Sequence, residues 1–220
     1  MKGFNVDQLV TPTPVTLTDR LRAMFKWFLD PVGGFLNRIG LMPNTMTLLG
    51  LAGTTLGAYF LARGNMLWGG LLVLVMVPID ALDGTMARLR GEAGDFGAFV
   101  DSVSDRYSEL IILGGLIYYF LAINDQIGVM LSFAAAAGSV LVSYVKARAE
   151  GLGYTAKIGI LTRVERYLVL APSLLFNQPF IGVMLIAILA NFTALQRIWY
   201  VRAQAHERMN EKKKSMEKPS

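Results

Sequence analysis

The chain has 220 residues, of which 54% are hydrophobic and 17% are charged, and its formal net charge is +5. Soluble domains are about 45–50% apolar and about 25% charged, so this composition indicates one bilayer-embedded domain. The chain has no cysteine and a single histidine, His206, which excludes thiolate chemistry and disfavours chemistry that needs a histidine base. Its positive charges flank apolar segments instead of forming one soluble basic face, so we expect no nucleic-acid partner.

The N-terminal part of the chain is predicted to contain an irregular arm and an amphipathic helix. The arm, residues 1–17, has no signal-peptide pattern. Over residues 18–40, one stripe of apolar positions recurs at helical spacing: Leu21, Met24, Phe25, Phe28 and Leu29. Such a helix is too short and too charged to span a bilayer, so we expect it to lie in the membrane interface. The alternative is a surface helix of a soluble protein.

The central part of the chain, residues 41–203, contains six apolar stretches, most of them near the roughly 20 residues that a spanning helix needs. They are residues 44–62, 67–87, 97–122, 127–148, 164–177 and 179–201, of which the fifth is short and contains Pro172. The sequence therefore predicts an all-α membrane protein with six transmembrane helices. Residues 204–220 form a polar basic tail, of which we expect residues 206–220 to fray.

The distribution of basic residues predicts the orientation of these spans. With six spans, the loops on one side contain Arg63 as their only basic residue, whereas the other side holds both termini and the remaining arginines and lysines. Cytoplasmic loops are enriched in lysine and arginine. We therefore expect both ends of the chain in the cytoplasm.

Four aspartates lie where the second and third predicted spans reach the cytoplasmic side. Asp80 and Asp83 are three residues apart on one helix face, and Asp101 and Asp105 are four apart on the next helix. The connection between the two spans is short, so the acidic faces can point at each other. Each aspartate costs roughly 2.5–3.5 kcal/mol in hydrocarbon on insertion scales, so the group requires protonation or divalent cations. A site built only of carboxylates suits magnesium, manganese or calcium.

Two other interpretations of the aspartates are open. They could be polar helix ends beside glycines that allow close helix packing. They could also line the ion path of a cation transporter, although a transporter should carry ionisable residues across the whole depth of the bilayer. The small residues Gly84, Ala87 and Gly97 favour a third interpretation, because they leave a groove beside the carboxylates where a ligand can approach the backbone.

The aspartates and small residues together resemble a known signature. The pattern Asp80-x-x-Asp83-Gly84-x-x-Ala87-Arg88, followed after eight residues by Gly97-x-x-x-Asp101-x-x-x-Asp105, is similar in full to that of the CDP-alcohol phosphotransferases. Six spans with an interfacial N-terminal helix also resemble that family. The resemblance implies transfer of a phosphatidyl group from CDP-diacylglycerol to an alcohol, with release of CMP. It also implies dependence on Mg²⁺ or Mn²⁺, with two ions bound.

The resemblance further implies roles for individual residues. Asp80, Asp83 and Asp101 would hold metal, and Asp105 would both approach the metal and act as the general base. The residues that would line the CDP site are Asn44, Thr47, Gly84, Ala87, Arg88 and Gly97. Phosphoryl transfer depends mainly on positioning and charge neutralisation, which agrees with these roles. By analogy with the family, we expect a homodimer in a prokaryotic cell membrane with its active site on the cytoplasmic side.

A second polar group predicts the class of acceptor. Its members are Ser143, Lys146, Arg148, Lys157, Arg163 and Arg166. Arginine forks suit phosphate oxygens, so the acceptor would already carry a phosphate; positive-inside anchoring is the alternative. The stretch resembles the branch of the family that makes phosphatidylinositol phosphate, or its archaeal ether-lipid counterpart, from inositol phosphate. The resemblance implies that Arg197 is a further phosphate-binding residue. Thr162 stands where that branch usually has glutamate, so glycerol 3-phosphate is an alternative acceptor.

Overall fold

The computed structural model describes residues 17–92 and 94–216, and within these ranges the chain is entirely helical, with seven helices and no strand. The helices are α1 (Leu17–Arg38), α2 (Pro43–Ala62), α3 (Met66–Arg90), α4 (Asp95–Ala122), α5 (Gln126–Gly151), α6 (Arg163–Leu175) and α7 (Pro179–Met216). The predicted all-α class is confirmed, and each predicted apolar stretch coincides with one helix from α2 to α7. The predicted N-terminal arm, apart from Leu17, lies outside the described residues, as do residues 217–220.

Three of the helices, α2, α5 and α7, are long and apolar enough to cross a membrane. Their outer faces carry large apolar side chains that are exposed, such as Leu48, Phe133 and Ile188. The buried side of the bundle, in contrast, includes polar residues such as Ser132 and Thr193. Proteins in water rarely expose so much continuous apolar surface, so this arrangement is the one expected of a membrane protein.

Three short connections fix the direction of the helices. Residues 63–65, 123–125 and 176–178 join α2 to α3, α4 to α5 and α6 to α7. Each connection contains one residue with positive φ, at Gly64 (78°), Asn124 (58°) and Asn177 (55°), and glycine and asparagine tolerate this conformation best. Helices joined by such short turns run antiparallel. The C-terminus of α3 and the N-termini of α2, α4 and α6 therefore share the other end of the bundle.

Helix α2 links the two helices that carry the aspartates. It packs against both α3 and α4, which contact each other far less. The approach is close: a Cβ atom on Gly115 of α4 would lie 2.5 Å from the carbonyl oxygen of Ala58 on α2, so only glycine fits there. The sequence indicated that α3 and α4 face each other directly. In the structure they are joined mainly through α2.

The N-terminal helix α1 packs on α3 at the end of the bundle where the aspartates lie. Leu29 of α1 is buried with Met46 of α2 and with Leu82 and Met86 of α3. A larger apolar core joins the remaining helices. The signature segment of α3 is therefore held between α1 and α2.

Helix α7 continues to Met216 and is 38 residues long. The expectation that the polar tail frays from residue 206 is therefore wrong for the part of the tail that the structure describes. The tail is rich in lysine and glutamate, which are good helix formers. It also contacts the segment between α5 and α6, which the sequence did not indicate.

Candidate active site

Asp83 is buried at the C-terminal end of α3 and is held by a threonine from α2. Its Oδ2 accepts a hydrogen bond from Thr47 Oγ1 at 2.7 Å, and both residues are 6% exposed. Its Oδ1 accepts a second hydrogen bond, of 2.5 Å, from the backbone N–H of Gly84. The predicted metal ligand Asp83 and the predicted CDP-site residue Thr47 are thus in direct contact, and the threonine orients the carboxylate.

Asp101 and Asp80 are the other two aspartates predicted to bind metal without acting as the base, and the structure describes them in less detail. Asp101 is half-buried on α4, one turn before Asp105. Asp80 lies on α3, one turn before Asp83, and its side chain is outside what the structure describes. Among the described side chains, no three His, Cys, Asp or Glu residues form a group that could hold a metal ion. A site of three or more carboxylates would therefore depend on Asp80 or on movement of the described ones.

Open space surrounds the two glycines of the signature. Among the atoms that the structure describes, a Cβ atom on Gly97 would meet nothing within 4 Å, and one on Gly84 would meet only Arg88 Nη1, at 3.6 Å. Glycines that serve helix packing in this protein, such as Gly115, show contacts below 3 Å instead. The signature glycines therefore do not serve close helix packing. They leave backbone accessible beside the carboxylates, as a ligand site requires.

The remaining predicted CDP-site residues lie around the same end of α2 and α3. Asn44 is exposed in the first turn of α2, which begins at Pro43, and Ala87 is half-buried on α3. Arg88 is exposed, and its Nη2 donates a 2.8 Å hydrogen bond to Thr85 Oγ1. These residues form the open side of the site, whereas Thr47 lies at its buried floor.

Asp105 contacts an arginine from the predicted acceptor site. Its Oδ1 lies 2.5 Å from Arg163 Nη1, and its Oδ2 lies 3.9 Å from Arg106 Nη1. Arg163 is the first residue of α6 and its side chain is 32% exposed. It also lines a small cleft with Thr54, among other residues. The structure therefore brings the predicted base and one predicted phosphate-binding residue together.

Thr162, the residue that departs from the branch pattern, is the N-cap of α6. Its backbone N–H donates a hydrogen bond to the carboxylate of Glu165, three residues later. Threonine is a preferred N-cap residue and glutamate at this spacing completes a capping box. This cap fixes the start of the helix that presents Arg163.

Arg166 is buried, and its guanidinium binds groups of the protein itself. Its guanidinium donates two hydrogen bonds to the carboxylate of Glu109 on α4 and a third, of 3.2 Å, to the carbonyl oxygen of Leu161. It is only 3% exposed. Glu109 was not among the residues predicted for the site, although it continues the four-residue spacing of Asp101 and Asp105 along α4. Arg166 therefore links α6 to α4 inside the bundle, beside the site.

The other members of the predicted acceptor site fall into two groups. Arg197 is 5% exposed and donates hydrogen bonds to the carbonyl oxygens of Ile158 and Val142, at 2.7 and 2.6 Å. Three residues towards the end of α5 are accessible: Ser143 and Lys146 are half-buried and Arg148 is exposed. Lys146 lies 4.0 Å from Glu150, one turn along the helix. Arg163 and these accessible residues are the ones able to meet a ligand.

The donor set fits a hard divalent cation. Asp83, Asp101 and Asp105 offer carboxylate oxygens, and His206, the only histidine of the chain, lies towards the far end of α7. Carboxylate oxygens are the ligands that Mg²⁺ and Mn²⁺ prefer, and the open space at Gly84 and Gly97 leaves room for a phosphate beside them.

Comparison with known proteins identifies the family. A family model described as CDP-alcohol phosphatidyltransferase matches residues 40–201. The chain therefore belongs to the CDP-alcohol phosphatidyltransferase family, and it is an enzyme rather than a cation transporter.

Two relatives of this chain are named archaetidylinositol phosphate synthase and phosphatidylinositol phosphate synthase. The archaetidylinositol phosphate synthase of Pyrococcus horikoshii is 36% identical over 184 residues, which cover 83% of this chain and 95% of that protein. The phosphatidylinositol phosphate synthase of Streptomyces avermitilis is 35% identical over 215 residues, or 90% of this chain and 88% of that protein.

Solved structures of a Mycobacterium tuberculosis phosphatidylinositol phosphate synthase share the fold at 30% identity. The structure with CDP-DAG bound has a TM-score of 0.74 and covers 79% of this chain and 92% of that one. The structure in complex with manganese and citrate also has a TM-score of 0.74, over 79% of this chain and 88% of that one.

Proposed function

We propose that this enzyme transfers the phosphatidyl group of CDP-diacylglycerol to inositol phosphate, releasing CMP and forming phosphatidylinositol phosphate. The observation that carries the proposal is the 2.5 Å contact between Arg163 and Asp105. It joins the predicted general base to a cationic group suited to an acceptor that already carries a phosphate. The names of the relatives from Streptomyces and Pyrococcus support the same acceptor.

In this proposal Asp80, Asp83, Asp101 and Asp105 hold two Mg²⁺ ions, for which Mn²⁺ can substitute. When bound, the ions neutralise the pyrophosphate and stabilise the departing oxygen of CMP. The hydrogen bond from Thr47 keeps the carboxylate of Asp83 turned towards the site. The complex of the mycobacterial relative with manganese supports a divalent ion.

The chain's own residues perform the remaining steps. Asp105 takes the proton from the acceptor hydroxyl, whose oxygen forms a bond to the phosphorus of the phosphatidyl group as the bond from that phosphorus to CMP breaks. Arg163 has five N–H donors, enough to hold Asp105 and the acceptor phosphate together. Such a bridge would hold the acceptor hydroxyl beside the carboxylate of Asp105. Asn44, Gly84, Ala87, Arg88 and Gly97 would border the nucleotide.

The membrane arrangement that suits this reaction has six spans, α2 to α7, within the catalytic domain of residues 41–203. Helix α1 would lie in the interface, with an exposed apolar face that includes Met24 and Phe28. Both termini and the site would face the cytoplasm of a prokaryotic cell, where water-soluble acceptors are available, with the lipid tails of the donor in the bilayer. We also propose a homodimer, as expected for the family.

The proposal is tested by measuring CMP release from CDP-diacylglycerol by the purified protein in detergent or vesicles. Inositol phosphate, inositol and glycerol 3-phosphate are compared as acceptors, with Mg²⁺ present and after chelation. We expect Mg²⁺-dependent turnover with inositol phosphate and little with inositol. Faster turnover with glycerol 3-phosphate would overturn the acceptor assignment. A parallel assay with a CDP-activated ether lipid determines whether the donor is a diacyl lipid.

A further inference from the structure

The segment between α5 and α6, residues 152–162, lies along α7 in the reverse direction. Thr193 Oγ1 accepts a hydrogen bond from the N–H of Leu161, and Arg197 donates one to the carbonyl oxygen of Ile158. Further along α7, Gln204 contacts Thr155 and Arg208 contacts Gly153. The four α7 residues, at positions 193, 197, 204 and 208, lie on one face of the helix because they are spaced by 4, 7 and 4 residues. They follow the segment over about 22 Å.

The two outer contacts are directed at backbone atoms of the segment. Gln204 Oε1 accepts a hydrogen bond from the N–H of Thr155 at 3.1 Å, and its Nε2 donates one to the carbonyl oxygen of Thr155 at 2.7 Å. Arg208 Nη2 donates a 2.8 Å hydrogen bond to the carbonyl oxygen of Gly153, and its guanidinium lies 4.4 Å from the ring centre of Tyr154. Both residues are beyond position 201, where the family match ends.

This segment separates the two groups of basic residues that the sequence predicts for the acceptor site. Lys146 and Arg148 precede it on α5, Lys157 lies within it, and Arg163 follows it at the start of α6. Leu161 and Ala156 are buried, whereas Lys157 is exposed. The segment therefore connects the basic end of α5 to Arg163.

We infer that Gln204 and Arg208 form a brace, outside the family's matched region, that positions the acceptor phosphate site. They are positioning residues: they hold the backbone of residues 153–155 and so fix the distance between Arg163 and the basic end of α5. The inference rests on the proposed function for the identity of the acceptor. The brace itself is a property of the fold and is measurable without turnover.

Hydrogen exchange of the full-length protein in detergent measures the brace directly. In Gln204→Leu and Arg208→Leu, we expect backbone amides of residues 152–158 to exchange at least several-fold faster than in the wild type, with the rest of the bundle unchanged. Arg202→Leu is the matched control, because Arg202 is an exposed arginine on the same helix. Unchanged exchange in both brace variants, or equal acceleration in Arg202→Leu, would overturn the inference.

Kinetics then measure the consequence for the acceptor. Each brace contact is a solvent-exposed hydrogen bond, so we expect KM for inositol phosphate to rise only about 3- to 10-fold in each brace variant. KM for CDP-diacylglycerol should stay unchanged, and Arg202→Leu should match the wild type. If the basic residues of this helix served only to bind anionic lipid, Arg202→Leu and Arg208→Leu would behave alike and the brace would be wrong.

The two proposals fail in different ways. If the wild-type protein does not use inositol phosphate, the proposed acceptor is wrong, and the exchange experiment still decides the brace. If the wild type uses inositol phosphate but the brace variants retain its KM, the proposed function stands and the positioning role is overturned.

Discussion

The guanidinium of Arg166 and the carboxylate of Glu109 meet inside the bundle through two hydrogen bonds, one helical turn beyond the contact between Arg163 and Asp105. Residues 105 and 109 are one turn apart on α4, and residues 163 and 166 are about one turn apart on α6. The two ion pairs therefore form neighbouring links between the same two helices. The inner link is buried and fixes α6, and the outer link lies at the proposed site of chemistry.

The first prediction concerns the inner link. Glu109→Ala leaves Arg166 buried without its carboxylate, which costs about 3–5 kcal/mol of stability. We expect a clear fall in Tm of the purified protein in detergent, measured by thermal unfolding.

The control removes both charges. Glu109→Leu combined with Arg166→Met replaces the pair by apolar side chains of similar size, which is often neutral or stabilising. The double variant should recover most of the lost Tm. A wild-type Tm in Glu109→Ala would contradict the structural role assigned to the pair.

The sequence predicted the helices and the family well because both have strong local signals. Apolar stretches of spanning length locate α2 to α7, and the fixed spacing from Asp80 to Asp105 carries the family signature. The role of Arg166 was not predictable, because a buried arginine and one that binds phosphate have the same local pattern. Its partner, Glu109, lies 57 positions earlier in the chain.

The extension of α7 was mispredicted for a related reason. A polar segment at the end of a chain is usually solvated and frays. Here Gln204 and Arg208 contact residues 49 and 55 positions earlier. Contacts over such distances leave no periodic trace in the local sequence, so they emerge only from the tertiary structure.

The second prediction concerns Thr47. Thr47→Val keeps the shape of the side chain but removes the 2.7 Å hydrogen bond to Asp83. Loss of a partner that orients a metal ligand typically weakens metal affinity by about 10- to 100-fold. We expect the Mn²⁺ concentration for half-maximal CMP release to rise by a factor in this range.

Thr55→Val is the matched control for Thr47. Thr55 is an exposed threonine on the same helix, and its hydroxyl donates to the carbonyl oxygen of Leu51. Its substitution should leave the metal requirement unchanged. If Thr47→Val requires the same Mn²⁺ concentration as Thr55→Val and the wild type, Thr47 does not orient Asp83.

The third prediction concerns the base. Asp105→Asn removes the proton acceptor, and loss of a general base typically lowers turnover by about 10²- to 10⁴-fold. Binding of CDP-diacylglycerol should persist, because Asp80, Asp83 and Asp101 remain. Asp95→Asn, an exposed carboxylate at the start of the same helix, should retain wild-type turnover. Substantial activity in a folded Asp105→Asn protein would assign the base elsewhere.

The last prediction separates Arg163 from Arg166. Arg163 is accessible and first on its helix, so Arg163→Ala should remove a charge-assisted hydrogen bond to the acceptor phosphate without unfolding α6. Such a bond contributes about 1.5–3 kcal/mol, so KM for inositol phosphate should rise roughly 10- to 150-fold. KM for CDP-diacylglycerol should change much less, and Tm should fall less than in Arg166→Ala, because Arg106 still lies 3.9 Å from Asp105. Arg166→Ala should lower Tm more, because it leaves Glu109 buried and unpaired.

Steady-state kinetics with both substrates varied, together with thermal unfolding, measure these effects. Arg63→Ala is the control, because Arg63 is an exposed arginine at the opposite end of the bundle and should leave both Michaelis constants unchanged. Equal changes in both constants for Arg163→Ala would indicate a general disturbance of the site. No change in either constant would indicate that Arg163 only helps to orient the protein in the membrane. Loss of one such residue has no effect because many other basic residues maintain that orientation.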